Sequence, residues 1–234
     1  MTPVDLLVFG PHPDDIEIGF GGNVALHVAL GFRVGLCDLT RGELGSNGTP
    51  DEREAEADAA RAVLGAEWRE NLRWPDGGID GSPEQIRSAV ELIRRHQPKA
   101  IAIPYGQDRH PDHVAANRVL TGAAFMSGLR RYDTGQPAWR ADWVCQYFIN
   151  DSAPSSFVID VSDFYERKRE ALACHRSQFT PPATDGVATR LTASTFKQLI
   201  ESRDAQFGAL AGVAFAEGFV VREPVERTSL LRRS

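Results

Sequence analysis

The most informative segment of the chain is DLLVFGPHPDDIEIGFGG, residues 5–22. It opens with an apolar run typical of a buried strand and ends with further apolar residues and glycines. Between them stand three ionisable side chains, His12, Asp14 and Asp15. Ionisable groups at the end of a core strand are costly to bury unless they are paired or bind a cation. The segment therefore predicts a buried first strand with a cation site at its carboxyl end.

Strand and helix patterns alternate along the rest of the chain. Two helices carry clear start signals, T-P-D-E at Thr49 and S-P-E-Q at Ser82, and the first of them has Gly65 as its stop. Further helices are expected after H-P-D-H and over residues 164–175 and 194–207. This alternation predicts an α/β fold, a single domain over residues 1–234 built as a Rossmann-like three-layer sandwich with a mostly parallel sheet. The other predicted strands are RVGLCDLT, AEWRENLRW, KAIAIPY, WVCQYFI and SFVIDV.

Composition excludes several classes of protein. The 234 residues are 42% hydrophobic and carry a formal net charge of −6, so we expect no nucleic-acid partner, and we expect the basic tail to be solvated. The sequence contains no run of about 20 apolar residues, so we expect no membrane span. We also expect a cytoplasmic protein. The three cysteines lie far apart in apolar surroundings, which predicts buried reduced thiols. The basic tail comprises Arg227, Arg232 and Arg233, and the cysteines are Cys37, Cys145 and Cys174.

A second polar motif follows the KAIAIPY strand. H-P-D-H places His110, Asp112 and His113 there, and the carboxyl ends of parallel strands share one edge of the sheet, where ligands bind. Histidine and carboxylate donors without cysteine suit zinc or another divalent first-row metal. Three protein ligands with an open position are what a catalytic zinc site requires.

The motifs P-H-P-D-D, T-R-G-E, E-R-E-A-E and H-P-D-H resemble those of the zinc-dependent de-N-acetylases of the LmbE-like, or PIG-L-like, family, and the resemblance covers nearly the whole chain. GELGSNGTPDERE, NLRWPDGGI and ALACHRSQF are similar to the bacillithiol branch, the N-acetylglucosaminyl malate deacetylases. The resemblance implies hydrolysis of the N-acetyl group of N-acetylglucosaminyl L-malate, giving a free amine and acetate. It also implies a homo-oligomer, a hexamer.

The resemblance also assigns roles to residues of this chain. Asp14 becomes the general base, His110 stabilises the developing oxyanion and is a candidate to protonate the leaving amine, and Asp112 supports a histidine ring. Which of Asp14 and His110 delivers the final proton stays open. The implied zinc ligands are His12, Asp15 and His113.

Substrate contacts are expected from polar residues near the same edge. Arg53 lies in the first turn of a helix, where a cation is unfavourable against the helix dipole, so its position indicates a carboxylate-binding role. Arg109 adjoins the H-P-D-H motif and is expected to act in the same way. Arg41 and Glu43 of T-R-G-E, together with Asn150, are candidates for contacts to sugar hydroxyl groups.

Several features have simpler interpretations. Aspartates at a helix start often serve as N-caps, and GFGG lacks the spacing of a dinucleotide-binding turn, so its glycines indicate close helix packing. His27 and His96 are expected to be structural, and His175 is expected to pack or to anchor a loop. Some relatives place a tyrosine on a loop over the site, and residues 179–196 contain none.

Four functions remain open at this level. The first is deacetylation of the malate conjugate, and the second is the same chemistry on a chitooligosaccharide or on the amide of a thiol conjugate. The third is a metal-stabilised sugar-binding protein without turnover. The fourth, a two-metal phosphoesterase, requires a second ligand set that six histidines do not obviously supply.

Overall fold

The computed structural model describes residues 3–180 and 186–226, so the predicted basic tail at Arg227, Arg232 and Arg233 lies outside the described residues. One seven-stranded sheet of order β3-β2-β1-β4-β5-β7-β6 runs through this part of the chain. Its strands are β1 (Leu6–Gly10), β2 (Val34–Thr40), β3 (Trp68–Trp74), β4 (Ala100–Pro104), β5 (Trp143–Tyr147), β6 (Phe157–Asp160) and β7 (Ala216–Val220). The helices are α1 (Asp15–Ala29), α2 (Pro50–Leu64), α3 (Pro83–His96), α4 (Pro111–Ser127), α5 (Tyr165–Cys174), α6 (Arg176–Phe179) and α7 (Ser194–Ala211).

The sheet is mostly parallel, as the alternating pattern predicts. Strands β3, β2, β1, β4 and β5 pair in parallel, whereas β7 pairs antiparallel with both β5 and β6. All six predicted strands are present. The seventh, β7, was not predicted, because Glu217 and Gly218 interrupt the apolar pattern that marks a buried strand.

Side chains of β1 alternate between two apolar layers. Leu6 and Val8 pack with residues of α1, α2, α5 and α7 on one face of the sheet. Leu7 and Phe9 pack with residues of α3 and α4 on the other. Because successive side chains of a strand point to opposite faces, a continuous apolar run such as LLVF is what a sheet covered on both faces requires. The two layers confirm the predicted three-layer sandwich.

The glycines of GFGG allow α1 to lie close to the sheet. A Cβ atom at Gly19 would lie 2.3 Å from the carbonyl oxygen of Phe148, and one at Gly22 would lie 2.8 Å from Cβ of Val161. A side chain at either position would push the helix away from the residues that directly follow β5 and β6. This packing confirms the structural interpretation of the motif.

Helix boundaries follow the sequence signals with one exception. Thr49 caps α2 through a reciprocal pair of hydrogen bonds with Glu52, and Gly65 ends the helix at φ 79°. The prediction that a helix follows H-P-D-H was wrong in detail, because α4 begins at Pro111, inside the motif, with His110 as its N-cap. Proline is favourable at the first helical position, where no intrahelical N–H donor is needed. The motif therefore forms the first turn of α4.

Two further predictions concern the cysteines and membrane spans. Cys37 and Cys145 are buried as predicted, but Cys174 at the end of α5 is partly exposed. Within residues 3–180 and 186–226, no helix combines the length and apolarity that crossing a bilayer requires.

Candidate active site

The polar motifs meet at one edge of the sheet. Strands β1 and β4 are parallel neighbours, so the segments that follow their carboxyl ends lie side by side. Together with the segments that follow β2, β3 and β5 they border a cleft of about 500 Å³. Of the residues singled out from the sequence, this cleft is lined by His12, Asp14, Asp15, Arg53, Arg109, His110, His113 and Asn150.

Two histidine rings of this cleft approach the same carboxylate oxygen of Asp15. Oδ2 of Asp15 lies 3.1 Å from Nδ1 of His12 and 3.2 Å from Nε2 of His113. Nε2 of His113 is buried, and apart from this ion-pair contact with Asp15 it makes no hydrogen bond within the described residues. A buried ring nitrogen without a partner is costly, and metal coordination would satisfy it. The donor set, two imidazoles and a carboxylate without a thiolate, fits zinc or a similar divalent ion.

The same three groups shift one another's pKa values. Burial by itself would raise the pKa of Asp15, but His113 and His12 hold that pKa well below its usual range. Burial by itself would lower the pKa of His113, but Asp15 and Asp108 raise that pKa to about 9. In the metal-free protein, therefore, a protonated histidine ring supplies the positive charge beside Asp15 that a bound cation would otherwise supply.

Asp14 occupies the N-cap position of α1 without acting as a cap. Its backbone has φ 120°, a conformation that non-glycine residues rarely adopt, and its side chain makes no capping hydrogen bond. Burial raises the pKa of Asp14 to about 6, and the guanidinium of Arg53, whose Nη2 lies 3.4 Å from Oδ2, opposes that rise. The N-cap interpretation therefore fails for Asp14, whose carboxylate lines the cleft instead.

His110 lies between the other two rings. Its ring centroid is 4.7 Å from that of His12 and 4.8 Å from that of His113. Nδ1 of His110 accepts a hydrogen bond from the backbone N–H of Asp112 at 3.2 Å, so the neutral ring carries its proton on Nε2. Burial and the charges of His12 and His113 lower the pKa of His110. The ring is thus a neutral donor at the edge of the cleft.

The histidine ring that Asp112 supports is that of His12. Oδ2 of Asp112 lies 3.2 Å from Nε2 of His12 and accepts the N–H of Gly77 at 2.8 Å, whereas only its backbone touches His110. Asp76, which was not predicted, lies 3.1 Å from the same His12 nitrogen. Asp76 follows the end of β3, so the strand-end rule that selected the other acids would also have found it.

Two groups of described side chains are close enough together to hold a metal ion, His12 with His110 and His113, and His12 with Asp76 and Asp112. The second group shares His12 with the first, and both of its acids already accept backbone N–H groups, from Leu44 and Gly77. It does not supply the independent ligand set that a two-metal phosphoesterase requires.

The predicted substrate residues divide into two groups. Arg41 and Glu43 lie outside the cleft, because Asp51 and Glu54 of α2 hold the guanidinium of Arg41, and Glu43 accepts the N–H of Arg41. The expected sugar contacts of these two residues therefore do not match their placement. Arg53 and Arg109, in contrast, both border the cleft.

Arg53 is buried and largely engaged. Its guanidinium donates to the carbonyl oxygens of Gly42 at 3.0 Å and Pro13 at 2.9 Å. A Cβ atom at Gly42 would lie 1.8 Å from Nη1, and Gly42 has φ 68°, so the glycine of T-R-G-E makes room for this side chain. Arg109 is exposed, and it pairs with no carboxylate in the part of the chain that the structure describes.

Asn150 reaches the cleft but donates to Asp108, a residue not singled out from the sequence. Gln178, Thr189 and Arg190 also line the cleft, from the region after α5. They lie in the segment RSQFTPPATDGVATR, which is long enough to line a site, but the sequence singles out none of the three individually. Part of the 179–196 loop, residues 181–185, lies outside the described residues.

The remaining histidines do not line the cleft. Nδ1 of His27 lies 2.8 Å from the carbonyl oxygen of Asn23, and His96 stacks on Trp68 with a centroid distance of 4.0 Å. His175 is fully buried beside Glu17 and is absent from the cleft lining.

Comparison with known proteins gives the family. The model of the family described as "PIG-L: GlcNAc-PI de-N-acetylase" matches residues 7–124. A 1D-myo-inositol 2-acetamido-2-deoxy-alpha-D-glucopyranoside deacetylase of Catenulispora acidiphila is 31% identical, with 76% of this chain and 81% of that protein aligned. Diacetylchitobiose deacetylase of Thermococcus kodakarensis is 25% identical over 91% of this chain and 81% of its own length.

The fold agrees with these relationships. The crystal structure of a conserved protein from Thermus thermophilus superposes with a TM-score of 0.89 at 37% identity, and the match covers 98% of this chain and all of that one. The family match spans β1 to α4 and therefore includes both polar motifs of the cleft. This chain belongs to the PIG-L family of GlcNAc-PI de-N-acetylases and is a hydrolytic N-deacetylase.

Proposed function

We propose that this protein removes the N-acetyl group of an N-acetylglucosaminyl conjugate, with N-acetylglucosaminyl L-malate as its substrate. One observation carries the proposal. The same cleft holds the orphaned nitrogen of His113, the buried carboxylate of Asp14 and, at an exposed position, the unpaired guanidinium of Arg109. These groups match the needs of a metal-assisted amide hydrolysis on a substrate that carries carboxylates.

The proposed metal is one zinc ion per chain, held by His12, Asp15 and His113. A divalent cation there would polarise the acetamide carbonyl and acidify water.

The chain's own residues divide the proton transfers. Asp14 accepts a proton as water adds to the acetamide carbon, and Arg53 fixes the carboxylate for that step. His110 donates from Nε2 to the developing oxyanion. The C–N bond then breaks, the proton passes to the leaving amine, and acetate is released.

The malate group, which is the aglycone of the proposed substrate, would bind at the exposed side of the cleft. Arg109 lies there, and Arg190 borders the same cleft from the segment before α7. Neither arginine pairs with a carboxylate among the described residues, so both guanidinium groups are available to a dianion such as malate. An inositol or a second sugar, the aglycones in the names of the two deacetylases above, would leave these charges without a partner.

The first experiment measures amine release by zinc-loaded protein from four substrates. These are N-acetylglucosaminyl malate, the inositol conjugate, diacetylchitobiose and N-acetylglucosamine, with Asp14→Asn as the inactive control. A clear preference for the malate conjugate supports the proposal. Turnover of only the neutral substrates would retain the deacetylase and overturn the malate assignment, and binding without turnover would favour a sugar-binding protein.

A matched pair of variants then tests the aglycone site. Arg109→Ala should raise KM for the malate conjugate and leave KM for N-acetylglucosamine unchanged. Arg130→Ala removes the same charge from an exposed position outside the cleft and should change neither. If both variants raise KM for the malate conjugate equally, Arg109 acts only through the net charge of the protein and does not contact the substrate.

We also infer that the protein assembles as a homo-oligomer, a hexamer, as the family resemblance implies. Light scattering of the purified protein checks this, and a monomer mass at working concentration would overturn it.

A further inference from the structure

We infer that Asp108 is a positioning residue that fixes the ring of His113 in the orientation and tautomer that a metal ion needs. The inference rests on the proposed function, because it assumes that His113 is a metal ligand. Asp108 lies between β4 and α4, outside the set of residues selected from the motifs.

Asp108 lies against the side of the His113 ring that faces away from Asp15. Its Oδ1 is 3.2 Å from Nδ1 of His113, and both side chains are at most 3% exposed. The other ring nitrogen, Nε2, is the one that lies 3.2 Å from Asp15 and lacks a hydrogen-bond partner. The ring therefore stands between two carboxylates, one on each nitrogen.

The carboxylate of Asp108 is itself held in place from two loops. It accepts the N–H of His110 at 2.8 Å, the N–H of Asn150 at 3.0 Å and the side-chain amide of Asn150 at 3.0 Å. Asn150 follows β5 and His110 follows β4, so Asp108 joins two segments that border the cleft. Three N–H donors leave the carboxylate little freedom to turn away from His113.

This arrangement decides which nitrogen of His113 carries the proton. A carboxylate only accepts hydrogen bonds, so Asp108 favours a proton on Nδ1. The other group near Nδ1 is the side-chain amide nitrogen of Asn150 at 3.5 Å, a donor that would favour the opposite tautomer, but it lies farther away than the Asp108 oxygen at 3.2 Å and already donates to Asp108 at 3.0 Å. With the proton fixed on Nδ1, the lone pair of Nε2 is available to a cation.

His12 is supported in the same manner. Its Nδ1 lies 3.1 Å from Asp15, and its Nε2 lies 3.1 Å from Asp76 and 3.2 Å from Asp112. Each histidine thus presents one nitrogen to Asp15 and the other to a carboxylate behind it. The repetition on two rings from different strands supports a positioning role for Asp108.

Metal affinity provides the first test. Zinc or cobalt is titrated into metal-free protein in competition with a chromophoric chelator, for wild type, Asp108→Asn and Asp108→Ala. We expect about 10- to 100-fold weaker binding in both variants, the range typical for loss of such a supporting group. Asp151→Asn is the matched control, because it removes the same charge from a neighbouring exposed position and should bind as wild type does.

A tautomer measurement separates positioning from general damage. In metal-free protein with 15N-labelled histidine, at a pH where the ring is neutral, wild-type His113 should carry its proton on Nδ1, and Asp108→Ala should lose that preference. The melting temperature of each metal-free variant shows whether it folds. If both Asp108 variants fail to fold, Asn150→Ala, which removes one donor to Asp108, should still weaken metal binding by a smaller factor.

The outcomes distinguish this inference from the proposed function. Metal affinity and tautomer unchanged in folded Asp108 variants, with affinity lost in Asp15→Asn, would overturn the role of Asp108 and leave the proposed function intact. A wild-type protein that binds neither zinc nor cobalt would instead overturn the proposed function, and the role of Asp108 would fall with it.

Discussion

Two clusters of buried ionisable side chains differ in whether their polar atoms have partners. The first, here the Lys168 cluster, consists of Lys168, Arg203, Asp204 and Glu217. Lys168 donates to Asp204 at 2.7 Å and to Glu217 at 2.6 Å, and Arg203 donates to Asp204 at 3.0 Å. The rest of the Arg203 guanidinium binds backbone carbonyl oxygens. Two positive and two negative groups therefore balance, and each charged group has at least two protein partners.

The second, the His113 cluster, consists of His12, Asp15 and His113. It is equally buried, yet Nε2 of His113, although 3.2 Å from Asp15, makes no hydrogen bond within the described residues. Beside it, Asp14 has a strained backbone and a raised pKa. A protein keeps strain and unsatisfied polar atoms where function requires them.

The difference shows what each cluster does. The Lys168 cluster joins α5, α7 and β7 and, through the bonds of Glu217 to Gly22 and Asn23, also α1. It is complete without any ligand, so its role is to hold the fold. The His113 cluster is completed only by a cation and a substrate, so changes there should affect chemistry more than stability.

The largest expected effect is on catalysis at Asp14. Asp14→Asn should lower kcat by roughly 10²- to 10⁴-fold, since it removes the proton acceptor. The melting temperature should change little, because the amide oxygen can still accept from Arg53. Steady-state kinetics and a thermal melt of the same preparation check both parts. A variant with more than a tenth of wild-type kcat would contradict the role of Asp14 as the base.

In the Lys168 cluster the expected effect is on stability. Lys168→Met leaves two buried carboxylates with one guanidinium and should lower the free energy of unfolding by about 3–5 kcal/mol, measured by urea denaturation. Lys197→Met, an exposed lysine on α7, is the control and should stay within about 0.5 kcal/mol of wild type. A small loss in Lys168→Met would mean that the cluster does not hold the fold.

The pH dependence of the metal-free protein should reflect the His113 cluster. The pKa of His113 is raised to about 9 in the folded protein, against about 6.5 when unfolded. Protonation therefore contributes stability that is fully present below pH 6.5 and is lost as the pH rises through 9. Melting temperatures in a chelator should fall over this range in wild type and fall less in His113→Gln. Equal slopes for the two proteins would exclude His113 as the source.

Metal affinity should change in the opposite direction. Because a ligand histidine must lose its proton, zinc binding should strengthen as the pH rises towards 9. Chelator competition at several pH values measures this, and an affinity independent of pH would contradict the protonated state of the metal-free site.

The smallest expected effect is at Arg41, which belongs to neither cluster. Asp51 and Glu54 hold its guanidinium away from the cleft, so Arg41→Ala should leave kcat and KM unchanged. A raised KM for N-acetylglucosamine would instead support the sugar contact that the sequence suggested for Arg41.

Much of this molecule could be predicted from local patterns. The apolar run of β1 encodes a strand covered on both faces, and Thr49, Glu52 and Gly65 encode the ends of α2. The two polar motifs follow strands that proved to be neighbours, so the residues of the cleft could be gathered before the structure was known. Periodicity, caps and turns act over a few residues, which is why sequence alone specifies them.

Other features depend on contacts between distant segments. Glu217 makes β7 unrecognisable as a core strand, and its burial is explained by donors far away in the sequence, Lys168 of α5 and Gly22 and Asn23 of α1. The carboxylate of Asp108 is held by Asn150, which follows β5, and the guanidinium of Arg41 pairs with acids of α2 outside the cleft.

The sequence by itself thus determined the α/β architecture and the chemical character of the site, because both follow from local order along the chain. The tertiary structure decided which carboxylate supports which ring and which arginines of the cleft pair with no carboxylate among the described residues. Those pairings depend on distances of about 3 Å between segments that the sequence keeps far apart.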